Sequence, residues 1–110
     1  MGRNGEAEEY YRRALEGMEI ALAPTHQSTL QVLNNLAVLL QANGRYGEAE
    51  DLHRRALAGR EEAFGRKHEQ TLNSASNLAV LLKATGDHDE AESLHRRALA
   101  GREELLGPSH

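Results

Sequence analysis

The 110-residue sequence contains no cysteine, no tryptophan, three tyrosines and one phenylalanine. Without cysteine the chain has neither a disulfide framework nor a thiolate metal site. No apolar run is long enough to span a membrane, and the N-terminus lacks the apolar segment of a signal peptide. A protein that binds nucleic acid or an anionic membrane needs a positively charged surface, whereas this chain carries a net charge of −4. We therefore expect a cytoplasmic protein that binds neither, with a core of Leu, Ala and Val.

The residue patterns that usually indicate catalysis are also missing. There is no nucleophile elbow, no phosphate-binding loop and no pair of carboxylates set apart from the acidic helix faces. Six histidines are present, but none has the spacing and the glutamate neighbour of a zinc-binding helix. His53 and His95 share one repeat position, which favours packing; three others fall in loops, which favours hydrogen bonding there: His26, His68 and His110. We predict no catalytic residue, no metal and no cofactor.

Two almost identical stretches organise the chain, residues 34–44 and residues 76–86, and they lie 42 positions apart. Aligning residues 44–68 with residues 86–110 pairs 25 positions, of which 17 are identical. Residues 2–15 match the beginning of the same segment. The chain therefore holds two segment types in the order B, A, B, A, B, which is the pattern of a repeat protein.

Both segment types have helical periodicity. In segment A the apolar residues follow an i, i+3, i+6, i+7, i+10 spacing, and Gly44 and Gly86 stand where a helix would end in a left-handed cap. Segment B begins with acidic residues and continues with arginines, an order that complements the helix dipole. Asp87 and Glu90 fit a capping box. The pattern predicts five helices of roughly 15–18 residues and no strand.

Helix pairs that repeat at a fixed period bury their apolar faces by stacking into a solenoid. We therefore predict an all-α fold, a helical-hairpin repeat solenoid of about five antiparallel helices. Residues 1–110 would form one domain, with a half repeat at 1–26, a first repeat at 27–68 and a second at 69–110. Residues 27–43 contain no charged side chain, so the A helices suit the inner face and the charged B helices suit the outer face.

These residues resemble the tetratricopeptide repeat, in the 42-residue form found in kinesin light chains. The resemblance covers almost the whole chain. It rests on residues 35–37, 44–50 and 55–57, on their second copy, and on the His68-x-x-Thr71-Leu72 entry to helix A. The family's aromatic position after the turn holds Tyr46, but Asn4 and His88 in the other copies. The chain begins with a B segment and stops before a further A segment, which suggests an excised piece of a longer array, or a designed or consensus array.

The resemblance implies that helix A lines a groove for an extended peptide from another protein. The implied peptide-binding residues are Gln31, Asn34, Asn35, Val38, Gln41, Asn73, Ser76, Asn77, Val80 and Lys83. Since Lys83 alone is charged, we expect recognition by amide hydrogen bonds and by apolar contacts at Val38 and Val80. Asn35 and Asn77 have two open roles, pairing with a peptide backbone or bonding within the stack, because an amide both donates and accepts.

A second hypothesis is that the chain associates with itself, end to end, as a homo-oligomer. Terminal repeats usually carry polar outer faces, and no such cap is visible here. Apolar residues near the two ends are the predicted self-association sites: Ile20, Leu22, Leu99, Leu105 and Leu106.

Overall fold

The computed structural model describes residues 3–22 and 26–107, with side chains from residue 5 onward. Five α-helices follow one another: α1 (Arg3–Ala21), α2 (Gln27–Ala42), α3 (Tyr46–Phe64), α4 (Glu69–Thr85) and α5 (His88–Leu106). The described residues include no strand. The predicted all-α helical-hairpin repeat is confirmed. The B helices α1, α3 and α5 each have 19 residues, slightly more than the repeat pattern predicts.

Each A helix packs between two B helices, α2 between α1 and α3, and α4 between α3 and α5. The core is divided accordingly. In one cluster Leu15, Leu30, Leu33 and Ala56 join the first three helices. A second cluster joins α3, α4 and α5 through Leu57, Ala75, Leu78, Ala79, Leu82 and Ala91. This nearest-neighbour packing is that of a solenoid.

Glycines end both A helices as the repeat pattern predicts. Gly44 has φ of +80° and Gly86 has φ of +95°, a region that side-chain-bearing residues rarely adopt. The prediction of a capping box at Asp87 and Glu90 is wrong, because the Asp87 side chain makes no hydrogen bond to the start of α5. The carboxylate of Glu90 instead accepts two hydrogen bonds from Arg54 of α3, both at 2.9 Å. A contact between repeats has replaced a local cap.

The loop histidines begin the A helices. The Nδ1 atom of His26 accepts a hydrogen bond from the backbone N–H of Ser28 at 3.1 Å, and His68 accepts one from Gln70 at the same distance. Each imidazole therefore acts as an N-cap, a position where Ser, Thr, Asp and Asn are more common. The expectation of loop hydrogen bonding is confirmed for these two histidines. His110 and the side chain of Asn4 lie outside the described residues.

Glycines inside the B helices let the A helices approach closely. A Cβ atom added at Gly101 would lie 2.7 Å from Cδ2 of Leu72, and one added at Gly59 would overlap Leu30 in the same way. Gly17 holds the same repeat position in α1 and has no atom within 4 Å of such a Cβ. A leucine of the preceding A helix therefore packs closely on the glycine of α3 and of α5, whereas the glycine of α1 faces open space in the described structure.

Two ion pairs join each B helix to the next B helix, and the same two pairs recur at both joints. Between α1 and α3, Arg12 contacts Glu48 at 3.0 Å and Arg55 contacts Glu19 at 2.7 Å. Between α3 and α5 the equivalent pairs are Arg54–Glu90 and Arg97–Glu61. In each joint the earlier helix supplies one arginine and one glutamate, and the later helix supplies the complements.

Apolar side chains are exposed near both ends of the described array. Ile20 is 83% exposed, Leu99, Leu105 and Leu106 are exposed as well, and Leu22 is partly exposed. None of the described helices combines the length and the apolar content needed to cross a membrane.

Candidate functional site

Three adjoining cavities run along the A helices. The first lies between α1 and α2, the second between α2, α3 and α4, and the third between the N-terminal halves of the A helices. Val38 and Ala42 line both the first and the second cavity, and Asn77 lines both the second and the third. Because they share walls, the three cavities form one groove, which we call the A-helix groove.

The second cavity, of about 500 Å³, is lined by more apolar than polar surface. Val38 and Val80, about half exposed, face it from successive A helices. Tyr46 and His53 enter it from α3, and Nε2 of His53 lies 3.2 Å from Oε1 of Gln41. Burial lowers the pKa of His53, so its neutral form is favoured.

The third cavity, of about 420 Å³, is polar and contains two arginines from B helices. Arg60 extends from α3 and Arg102 from α5, and they meet amide and hydroxyl groups of the A helices. The guanidinium of Arg102 donates to Oδ1 of Asn73 at 2.7 Å and to Oγ of Ser76 at 3.4 Å. Neither arginine has an ion-pair partner among the described residues, in contrast to the paired arginines on the outer surface.

Arg60 is buried without a counter-ion. It is only 4% exposed, and its Nη1 atom donates to Oγ of Ser74 at 2.8 Å. Its Nη2 atom donates to Oε1 of Gln31 at 3.4 Å, while its Nε atom has no partner within the described part of the chain. Burial lowers the pKa of Arg60, because removing a cation from water disfavours the charged form. Arginine stays protonated nonetheless, so a positive charge is held beneath the groove, although its unpartnered Nε atom is itself buried.

The groove brings together nine of the ten residues that the family resemblance implies. They divide among the cavities, with Val38, Gln41, Asn77 and Val80 in the second, Asn35 in the first, and Gln31, Asn34, Asn73 and Ser76 in the third. Lys83 is separate, in a fourth cavity against α5 that includes His95 and Leu99. The expectation that Lys83 alone charges the groove is therefore wrong. The charge comes from Arg60 and Arg102, and Lys83 lies beyond the second cavity at the exposed face of α5.

The two asparagines with open roles both bond within the protein. Nδ2 of Asn77 donates to Oδ1 of Asn34 at 2.9 Å, which links the two A helices. Oδ1 of Asn35 accepts from Nε2 of Gln31 at 3.0 Å within α2. Each amide still has hydrogen-bonding groups unused in these contacts, so bonding in the stack and bonding to a peptide are compatible.

Arg60 and Arg102 were missed because an arginine in a charged helix usually lies in solvent. The sequence did contain a signal. Arg60 follows Ala56 by four positions and Leu57 by three, so it shares their buried helix face. The same holds for Arg102 relative to Ala98 and Leu99, and the first copy has Met18 at this position. A long side chain on that face can reach the polar side chains of the neighbouring A helix.

The comparisons with known proteins agree with this architecture. The tetratricopeptide repeat family model matches residues 1–62 and, in a second match, residues 28–104. The chain therefore belongs to the tetratricopeptide repeat family. The fold is a non-enzymatic scaffold, and repeats of this family generally mediate protein–protein interactions.

Within that family the chain is of the kinesin-light-chain-like class. It is similar to the crystal structure of BtubC (BKLC) from P. vanneervenii, with a TM-score of 0.89 and 28% sequence identity. The similarity covers 98% of this chain and 42% of that chain, so the present chain spans less than half the length of BtubC. No curated protein sequence matches the chain.

Proposed function

We propose that the A-helix groove binds an extended peptide from another protein, and that an acidic residue of this peptide pairs with Arg102, next to the buried charge of Arg60. The observation that carries the proposal is that two arginines without an ion pair among the described residues, the buried Arg60 and the more accessible Arg102, line the polar end of the groove. A buried arginine is costly unless an anion or a full set of hydrogen bonds compensates it.

The charge distribution favours a carboxylate over other groups. Guanidinium groups bind carboxylates through paired, charge-assisted hydrogen bonds, and two guanidinium groups line this one cavity. Lysine or arginine residues of a ligand would be repelled at the same place. The protein as a whole carries a net charge of −4, so the attraction is local to the groove.

The apolar part of the groove would contact another part of the same peptide. Val38 and Val80 line the second cavity, which borders the polar cavity at Asn77. An extended peptide spans about 3.3 Å per residue, so an acidic and an apolar side chain a few residues apart would reach both cavities. The amides of Asn35 and Asn77 would pair with its backbone. This predicts a ligand with one acidic and one apolar anchor.

Fluorescence anisotropy with labelled octapeptides tests the proposal. The peptide panel has a Glu or Asp at each position in turn, beside a series in which Gln or Asn replaces the acid. We expect tighter binding of the acidic peptides, and an at least tenfold loss of their affinity in Arg102→Gln, since a hydrogen bond to a charged group contributes about 1.5–3 kcal/mol. Arg102 is the better target because Arg60 is buried in the core.

The matched control is Arg96→Gln, which removes an exposed arginine from the same helix outside the groove. Peptide affinity should be unchanged in this variant. A second pair of variants, Asn35→Ala and Asn77→Ala, tests backbone pairing. If acidic and amide peptides bind equally, or if the three groove variants Arg102→Gln, Asn35→Ala and Asn77→Ala all bind like the wild type, the groove assignment is wrong.

A further inference from the structure

Asn35 and Asn77 hold the same repeat position, but opposite ends of their side-chain amides are hydrogen-bonded. Oδ1 of Asn35 accepts from Nε2 of Gln31 at 3.0 Å, and its Nδ2 atom has no partner among the described residues. Asn77 uses its other end, because its Nδ2 atom donates to Oδ1 of Asn34 at 2.9 Å. Its Oδ1 atom has no partner in the described part of the chain. The nitrogen of Asn35 and the oxygen of Asn77 are thus left for a ligand.

The orientation of the Gln31 amide is set by Arg60. A guanidinium group only donates hydrogen bonds, so the atom of Gln31 that faces it has to be the oxygen. Nη2 of Arg60 lies 3.4 Å from Oε1 of Gln31. Arg60 is itself buried, and its Nη1 atom donates to Oγ of Ser74 at 2.8 Å. With its oxygen toward Arg60, Gln31 has only its nitrogen left for Asn35.

The second repeat has the arginine but lacks the rest of this relay. Arg102 donates to Oδ1 of Asn73, which holds the repeat position of Gln31. Asparagine is one methylene shorter than glutamine, and Asn73 makes no hydrogen bond to Asn77 among the described residues. Asn77 bonds across to Asn34 of the preceding A helix instead. Two identical residues therefore take opposite orientations because the residue four positions earlier differs.

We infer that Gln31 and Arg60 are positioning residues of the groove, which fix Asn35 with its N–H groups toward a backbone carbonyl of the ligand. Asn77 offers its oxygen to a backbone N–H. The inference rests on the proposed function for its ligand. An extended peptide carries both a carbonyl and, except at proline, an N–H on every residue. An amide that is already oriented lowers the cost of ordering on binding. The opposite orientations thereby select the register of the peptide in the groove.

Hydrogen exchange of the side-chain amides tests the orientations without a ligand, by nuclear magnetic resonance of the free ¹⁵N-labelled protein. The hydrogen-bonded protons of Gln31 and Asn77 should exchange about two- to tenfold more slowly than those of Asn35, because a hydrogen bond must open first. Gln31→Glu should slow the exchange at Asn35 to the rate of Asn77, since a carboxylate only accepts and Asn35 then donates to it. Arg60→Met, which introduces the residue of the first copy, should give an intermediate rate.

Equal exchange at Asn35 and Asn77 in the wild type overturns the inference. So does an exchange rate at Asn35 that Gln31→Glu leaves unchanged, or that a folded Arg60→Met leaves unchanged. If Arg60→Met does not fold, Gln31→Glu decides alone, because Gln31 is exposed and its replacement keeps an acceptor toward Arg60.

Affinity for the tightest-binding acidic octapeptide of the panel tests the consequence for binding. Gln31→Glu should lower this affinity about tenfold, because Asn35 then turns its oxygen to the peptide carbonyl. Its free energy of unfolding should not fall, since the new carboxylate gives the buried Arg60 a counter-ion. A merely structural role of Gln31 would lower affinity and stability together. The octapeptide with Gln in place of its acid should lose the same factor, and a loss confined to the acidic peptide would mean charge repulsion and overturn the inference.

Gln27→Glu is the matched control, with the same substitution one turn earlier on α2. Gln27 is exposed, lies outside the three cavities, and stands where the second copy has Glu69. This variant should bind the octapeptide like the wild type. Equal affinities of Gln31→Glu and Gln27→Glu overturn the inference. If no octapeptide binds the wild type, the proposed function fails, while the exchange rates still decide how Asn35 is oriented.

Discussion

Helices α3 and α5 have nearly the same sequence but different surroundings. Leu57 of α3 is 8% exposed, whereas Leu99 of α5, at the same repeat position, is 60% exposed. His53 is buried and His95 is exposed. Helix α4 covers this face of α3, and no described helix covers it on α5. The repeat sequence thus determines which residues can be buried, and the neighbouring helix determines which ones are.

Truncating the equivalent leucines gives the largest expected difference between the two helices. Leu57→Ala should lower the free energy of unfolding by about 2–4 kcal/mol, because it leaves a cavity beside Leu78 and Ala79. Leu99→Ala should lower it by less than about 0.5 kcal/mol, because that side chain is in solvent. Urea denaturation of dilute protein measures both. Equal losses would contradict the packing described here.

The glycine positions provide a second comparison, between α3 and α1. Gly59→Ala should destabilise the protein by about 1–3 kcal/mol, since the added methyl group overlaps Leu30. Gly17→Ala should stabilise it by about 0.5–1 kcal/mol, because alanine is the better helix former and nothing lies within 4 Å. Thermal unfolding of the two variants measures both effects. A stabilising Gly59→Ala would mean that α2 and α3 are further apart than in the structure.

Removing an equivalent ion-paired arginine from α3 and from α5 should give a smaller difference in the free energy of unfolding than the leucine and glycine variants do. Arg54→Gln removes contacts to Glu50 and to Glu90 and should cost about 0.5–1 kcal/mol at low ionic strength. Arg96→Gln removes one pair within its own helix and should cost about 0.3 kcal/mol. Both costs should shrink at high salt, because the groups are partly exposed. Urea denaturation at two salt concentrations measures both costs. If the two variants lose the same free energy of unfolding, the Arg54–Glu90 ion pair between α3 and α5 does not stabilise the protein.

The smallest expected effect is a pH dependence due to His53. Burial lowers its pKa in the folded state, so folding favours the neutral imidazole. The contribution of His53 to stability is therefore complete above its unfolded pKa of about 6.5 and is lost as the pH falls below that value. His53→Gln should reduce this loss of stability in acid, and His95→Gln at the exposed equivalent position should leave it unchanged. Identical pH profiles for both variants would show that His53 is not desolvated.

Much of the fold was predictable because the repeat makes each helix signal appear twice. The 42-residue offset placed the A helices, and Gly44 and Gly86 marked their ends correctly. The spacing of Leu30, Leu33 and Leu36 identified the buried stripe. These features depend on local conformation and on the apolar pattern of single helices, which are properties of neighbouring residues in sequence.

The features that were missed depend on contacts between helices. Glu90 looked like half of a capping box, but Arg54, 36 positions earlier, binds it instead. Arg60 looked like a solvated charge, yet it is buried and donates a hydrogen bond to Ser74 of α4. Gly59 has no special place in the periodicity of α3, although it is where Leu30 packs. In each case a residue distant in sequence decides the role, and the periodicity of one helix does not contain that information.

Nuclear magnetic resonance of the arginine side chains tests the central claim, a carboxylate site in the A-helix groove, most directly. The protein is labelled with ¹⁵N at arginine and titrated with the acidic octapeptide of highest affinity, then with its Gln-substituted partner. We predict that the Nε–Hε resonances of Arg60 and Arg102 shift with the acidic peptide only, while those of Arg54, Arg55 and Arg97 stay in place. Shifts confined to these outer-surface arginines, or equal shifts with both peptides, would contradict the account.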